Sequence, residues 1–243
     1  MTTYKNIFIY TGLLSAVLMA GCHEKPALQP ESKALTAKGS EATDPYITRD
    51  HQGRPVLCWT EKTPGEGRYV LKYAVFDPGK EEFGPAVSVR PSTGTKTSAE
   101  SANKVAFKSD GSIVALFSRR FEDPENRFAG GILYSLSPDQ GKSWSAARYL
   151  HSDTLHRYGR GFFDICTLPD GEVGAVWLDG RFGEADTGSA IFFARTEKGA
   201  GFGADKVIGQ STCECCRTDI LTDSAGMIHI AYRDILHPPD RFG

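Results

Sequence analysis

Four stretches decide the fold: HQGRPVLCW (51–59), SDGSIVALF (109–117), PDGEVGAVW (169–177) and SAGMIHIAY (224–232). Each holds a turn glycine, an apolar run and a closing aromatic residue. Gly53, Gly111, Gly171 and Gly226 lie 58, 60 and 55 residues apart, and Trp59, Phe117, Trp177 and Tyr232 follow them by six. Self-similarity at a near-fixed period marks a repeat architecture, in which each unit buries its apolar faces against its neighbours. An apolar run such as Gly161–Cys166 precedes each turn, and a second hairpin follows, as in LKYAVF…AVSV, GILYSL…AARYL and AIFFAR…DKVI. Run, turn, run, loop, run, turn, run gives four strands per unit of about 58 residues, which is a propeller blade. Helical periodicity is absent outside the N-terminal apolar segment, which argues against a βαβ fold. The fold class expected is all-β. Blades fall at about 44–100, 101–155 and 156–212, with an incomplete one at 213–243.

The wider composition fits. The 243 residues are 40% hydrophobic, enough for a real core, and 26 Gly with 13 Pro suit many turns between short strands. A net charge of -2 excludes the strongly basic surface that nucleic acid would require.

The second hairpin of the second blade carries the most specific motif, Ser137-Pro138-Asp139-Gln140-Gly141-Lys142-Ser143-Trp144. Asp139 can accept from amides of its own turn, Gly141 can take positive φ, and Trp144 can pack between blades. Ser137, Asp139, Gly141 and Trp144 match the Asp box, S-x-D-x-G-x-x-W. The first blade keeps only Gly79 and Phe83 at similar offsets, and the third Gly199 and Phe202. On this motif and the period, residues 44–243 resemble the bacterial sialidase and BNR-repeat propellers. That family uses six blades, so the resemblance implies a sialidase-like β-propeller of which this sequence holds about three and a half blades. Open blades expose strand edges, so a chain of this extent is expected to be inactive alone or to self-associate.

The N-terminus reads as a targeting segment. Lys5 precedes the apolar run Ile7–Ala20, too short to span a bilayer, which marks a signal peptide over 1–21. Leu18-Met19-Ala20-Gly21-Cys22 resembles a lipoprotein lipobox, although Met19 departs from the usual Leu. The resemblance implies a lipid on Cys22, attachment to a membrane through that lipid and a cell-envelope address, the outer membrane by default since His23 rather than Asp follows. Residues 22–43 are polar and aperiodic and read as a tether.

Blade topology sorts the loops. The glycine turns and the Asp box lie on one face, so the longer polar loops 60–69, 90–101, 118–130, 151–161, 178–189 and 209–217 share the other, where a site is expected. Eight positions after each repeat glycine come Glu61, Arg119, Asp179 and Asp234. Arg120, Arg181 and Arg233 adjoin them, and Arg157, Arg160 and Arg217 come from neighbouring loops. Guanidinium groups bind carboxylates bidentately, so Arg119, Arg120, Arg160, Arg181, Arg217 and Arg233 are candidate ligands for a glycan or other carboxylate-bearing molecule. Equally, such charges can pair with one another, as Asp179 with Arg181 or Arg233 with Asp234. Sialidases hold the sialic acid carboxylate with three arginines and use a Tyr nucleophile, which the resemblance implies here as an exo-α-sialidase activity. The Phe-Arg-Ile-Pro motif of that family is missing, and no catalytic residue carries over by motif. Asp179 is the best-placed candidate acid/base.

Cys213-Glu214-Cys215-Cys216-Arg217 falls in one of these loops. Dense thiols allow a disulfide, a soft-metal or redox site, or free thiols. Zinc sites usually add a second cysteine pair, and none is obvious, so no metal and no cofactor is the leading expectation. A glycosidase, a non-catalytic glycan-binding propeller, and a scaffold or metal–thiol protein centred on these cysteines all remain open.

Overall fold

The computed structural model describes residues 33–63, 65–155, 157–182 and 188–235, within the unit Leu35–Gly243 but for its first two residues. The signal peptide, Cys22 and the first half of the tether lie outside the described residues. Among the described residues no helix is long and apolar enough to cross a membrane.

The strands form sheets in strict chain order. The first sheet holds β1 (Ala42–Arg49), β2 (Pro55–Lys62) and β3 (Tyr69–Asp77), with β4 (Glu82–Phe83) and β5 (Val87–Ser88) both paired to β3. The second holds β6 (Lys104–Phe107), β7 (Ile113–Arg120), β8 (Gly130–Ser137) and β9 (Arg148–Tyr149). The third holds β10 (Arg160–Thr167), β11 (Val173–Asp179), β12 (Ser189–Arg195) and β13 (Lys206–Thr212). A fourth pairs β14 (Asp219–Thr222) with β15 (Ile228–Ala231). Every pairing is antiparallel, and the first strands β1, β6, β10 and β14 lie side by side in succession. This is the arrangement of propeller blades around an axis. One boundary moves: Ala42 and Thr43, read as tether, pair with Glu61 and Thr60 and belong to β1.

The repeat is exact at the backbone of the glycine turns. Gly53, Gly111, Gly171 and Gly226 have φ between 78° and 84°. Their amides donate to Asp50, Lys108, Leu168 and Asp223, three residues back. Left-handed φ at this position is what fixes glycine in every repeat.

Strand alternation explains the unbroken apolar runs. Ile113, Ala115 and Phe117 of β7 pack towards the first sheet with Val56, Leu71 and Tyr73. Val114 and Leu116 face the other way, into a core with Phe163, Trp177 and Phe192 of the third sheet. Val176 and Leu178 of β11 turn towards Ile220 of the fourth. A middle blade is thus buried on both faces, so both parities of its strands are apolar.

The motif Ser137–Trp144 closes as its chemistry requires. Ser143 donates to Asp139 through its amide at 2.8 Å and its hydroxyl at 2.6 Å. The Ser137 hydroxyl donates to Asp139 at 2.9 Å and accepts from the Gly141 amide at 2.7 Å. These donors hold the Asp139 carboxyl down at about 2. Trp144 meets Tyr73 of the previous blade edge-on, 6.4 Å between centroids. The degenerate third-blade turn repeats that contact: Phe202 meets Tyr134 edge-on at 5.0 Å, and Gly201 lies against Tyr134 as Gly141 lies against Tyr73.

Candidate functional site

The first strands carry four polar residues at one repeated position. Tyr46 of β1, Lys104 of β6, Asp164 of β10 and Asp219 of β14 each stand seven residues before a repeat glycine. Because β1, β6, β10 and β14 are neighbours, this register brings the four together. A bulge immediately precedes Tyr46 and another precedes Asp164, with Asp44 and Phe162 at φ 55° and 50°. Bulges of this kind re-aim the side chains that follow.

Asp164 is the hub. Tyr46 donates its hydroxyl to Oδ1 at 3.0 Å, and Lys104 Nζ donates to the same oxygen at 2.8 Å. The Ile220 amide donates to Oδ2 at 3.2 Å. Lys104 also donates to the Phe163 carbonyl and lies 4.1 Å from the Tyr46 ring centroid, so this buried ammonium is fully engaged. Asp219 stands beside Asp164 and is exposed on its outer side. Burial of its carboxyl, then its hydrogen bond to Asp164 and the Asp164 charge, raise Asp219 above the ordinary carboxylate range, with Lys104 opposing. A like charge beside a carboxyl disfavours its ionised form. Burial and the Asp164 charge likewise push the Tyr46 phenol upward.

These residues floor a cavity of about 450 Å³ whose walls include Glu100, Arg217, Tyr232 and Arg233. Arg217 donates to the Ala99 carbonyl at 3.0 Å, and Arg233 Nη1 lies 3.7 Å from Cys216 Sγ. A second cavity of about 610 Å³ is lined by Asn126, Phe128, Tyr158, Arg160 and Glu214, and it shares Glu100 with the first. Its walls come from the loops that topology assigned to one face.

The structure divides the expected arginine ring. Arg160 is enclosed, its Nε donating to Asp179 and its Nη2 to Asp153, both at 3.0 Å. Arg181 binds Asp179 at 2.6 Å and Asp205 at 2.8 Å. Arg119 faces the carbonyls of Pro91 and Thr93, and Arg120 donates to the Arg127 carbonyl at 2.7 Å. Of the six, Arg217 and Arg233 line the cavity with the carboxyl pair.

Asp179, the candidate acid/base, sits between Arg160 and Arg181. Its side chain is fully buried, and it accepts from Arg160, Arg181 and the Trp177 indole. Burial alone would raise its carboxyl, but the Arg181 hydrogen bond and the two guanidinium charges outweigh it and hold Asp179 below its ordinary value. Glu61 repeats the arrangement in the first blade, accepting from the Trp59 indole at 2.8 Å and from Lys72 at 2.7 Å. Where the closing aromatic is tryptophan, the acid two residues on is its hydrogen-bond partner.

His151 sits beside this network. The Ile132 amide donates to Nε2 at 3.3 Å, and Nδ1 faces the Asp153 carbonyl. Burial, then the Arg160 charge, pushes the imidazole down to about 4 from 6.5. On acidification the unfolded chain takes up this proton first. The stabilising effect is therefore complete above pH 6.5 and lost as pH falls towards 4. Thermal scans across that range should show stability falling by up to about 1.4 kcal/mol per pH unit, with a shallower slope in His151→Gln.

The expected thiol loop lies between β13 and β14. Among the described residues Cys58, Cys166, Cys213, Cys215 and Cys216 are free thiols.

No protein-family model matches the chain, and no curated protein matches it. Among solved structures, a protein of unknown function from Dyadobacter fermentans is similar in fold, with TM-score 0.55 and 13% identity over 84% of this chain. This chain spans 60% of that protein's length. An endo-arabinase from Bacteroides thetaiotaomicron is similar with TM-score 0.45 and 18% identity, covering 77% of this chain and 68% of its own. The NanB sialidase from Streptococcus pneumoniae gives TM-score 0.46 and 17% identity, covering 73% of this chain and 25% of its own.

Proposed function

We propose that this chain is a glycan-acting propeller whose central cavity takes an acidic saccharide. The observation that carries the proposal is the Asp164–Asp219 carboxyl pair on the floor of a cavity walled by Arg217 and Arg233. The guanidinium groups suit a sugar carboxylate, and Tyr232 offers an exposed aromatic face to a sugar ring. Asp219 is raised above the ordinary carboxylate range by burial and by Asp164, so it keeps its proton to higher pH than an ordinary carboxylate and is placed to protonate a leaving oxygen. Part of the same proposal is a lipid-anchored address at the cell envelope, which rests on the run Leu18–Cys22.

A second reading is binding without turnover. It is favoured by the saturation of Asp164, whose donors Tyr46, Lys104 and the Ile220 amide leave no free carboxylate to act as base. The hydrogen-bonded pair also stands closer than the roughly 5 Å or more that separates the carboxyls of most glycosidases.

Calorimetric titration of the full chain with sialylated, uronate-containing and neutral oligosaccharides tests the common core of both readings. Acidic sugars should bind in preference to neutral ones, and the double variant Arg217→Ala, Arg233→Ala should weaken them by at least about tenfold. Equal binding of neutral sugars, or an unaffected double variant, would overturn the proposal. Product release then separates turnover from binding.

A further inference from the structure

The thiols of Cys213, Cys215 and Cys216 are unused by the carboxyl site, and their geometry is specific. Cys213 Sγ lies 3.2 Å from both Cys215 Sγ and Cys216 Sγ. All three sulfurs fall within 4.8 Å of one another. The loop is pinned from both sides. The Cys213 amide donates to the Arg233 carbonyl at 2.9 Å, and Ile235 donates back to Ser211 at 2.8 Å. The thiol loop is thereby tied to the segment that follows β15.

We propose that Cys213, Cys215 and Cys216 form a three-thiolate site for a soft d10 metal ion, Cu(I) or Zn²⁺, with Cys215 in the wall of the second cavity. Metal–sulfur bonds of about 2.3 Å set sulfur–sulfur distances of about 3.8–4.0 Å, so the two 3.2 Å pairs have only to open by less than about 1 Å. A disulfide would use two sulfurs and strand the third, whereas an ion engages all three. Thiolate donors select soft ions over magnesium or calcium. No fourth Cys, His or carboxylate joins the cluster among the described residues, which suits three-coordinate Cu(I), or Zn²⁺ with water as its fourth ligand.

Thiols must lose their protons to bind the ion, so uptake releases protons to solvent. Arg233 lies against Cys216 and also lines the first cavity, so an ion here would hold one wall of that cavity in place.

The test uses the full chain, stripped of metal and reduced under anaerobic conditions. Cu(I) is titrated against a chromophoric chelator, and Zn²⁺ in a parallel arm. One equivalent of at least one ion should be taken up per chain, with loss of three reactive thiols. Cys215→Ser, at an exposed position, should weaken uptake by at least about tenfold while leaving the thermal unfolding of the metal-free chain unchanged. Cys166→Ser, outside the cluster, should leave it unchanged. Failure to take up either ion, uptake unaltered in Cys215→Ser, or retention of all three reactive thiols would overturn the proposal.

Discussion

Asp179→Ala should destabilise the chain by about 3–5 kcal/mol, the range for removing one partner of a buried ion pair. Asp179 and Arg160 have side chains with 0% exposure, and Arg181 has 9%. Removing the carboxylate strips Arg160 of one partner and Arg181 of another, and it leaves the Trp177 indole without its acceptor. Asp153 and Asp205 remain, so both guanidinium groups keep one counter-charge. In a domain of this size the effect is a fall in Tm of about 10 °C. Asp179→Asn keeps acceptor atoms but no charge and should fall between the two. Urea unfolding of all three proteins checks the order. A change in Asp179→Ala below about 1 kcal/mol would show that the network contributes nothing net, as some buried ion pairs do.

This network shows where the sequence could be read and where it could not. The glycine turns were legible because their signal is local: a positive φ, a fixed aromatic offset and a repeated period need no partner from elsewhere in the chain. The faces of the blade were legible for the same reason, since alternate loops must lie on opposite sides of an antiparallel sheet. Charge was harder. The offset of eight after each glycine selects Glu61 and Asp179, which serve the tryptophans beside them. Sequence alone does not tell an acid that satisfies an indole from one that faces a ligand. The offset of seven before each glycine picks out Tyr46, Lys104, Asp164 and Asp219, and it was open to inspection. The clue lay in the apolar runs themselves. Lys104 in NKVAF and Asp164 in GFFDIC are charges inside segments that otherwise read as buried, and a buried charge requires a partner. That they are partners of each other follows only once β6 and β10 are neighbours. The six arginines posed the converse problem: their number suggested a ring, while Arg160 and Arg181 share Asp179 and take Asp153 and Asp205 as second partners.

If the carboxyl pair acts on its ligand, Asp219→Asn should abolish turnover by about 10²–10⁴-fold while leaving acidic-sugar binding by Arg217 and Arg233 within a few-fold. The amide matches the carboxyl in size but cannot release a proton. The pH profile gives the sharper test. Asp219 is raised by burial and by Asp164, so the active, protonated form prevails at low pH and is lost as pH rises through that raised value. The wild-type rate should therefore decline on the alkaline side of an optimum above the usual carboxylate range. Lys104→Met removes a charge that opposes the shift, so the decline should move to higher pH. Because Lys104 is buried against Asp164, its variant is compared at a temperature where thermal scans show it folded. A decline that stays in place in Lys104→Met, or persists unchanged in Asp219→Asn, would assign the proton to another group. Absence of turnover at every pH, with acidic-sugar binding intact, would leave the cavity as a binding site in which Asp219 donates a hydrogen bond rather than a proton.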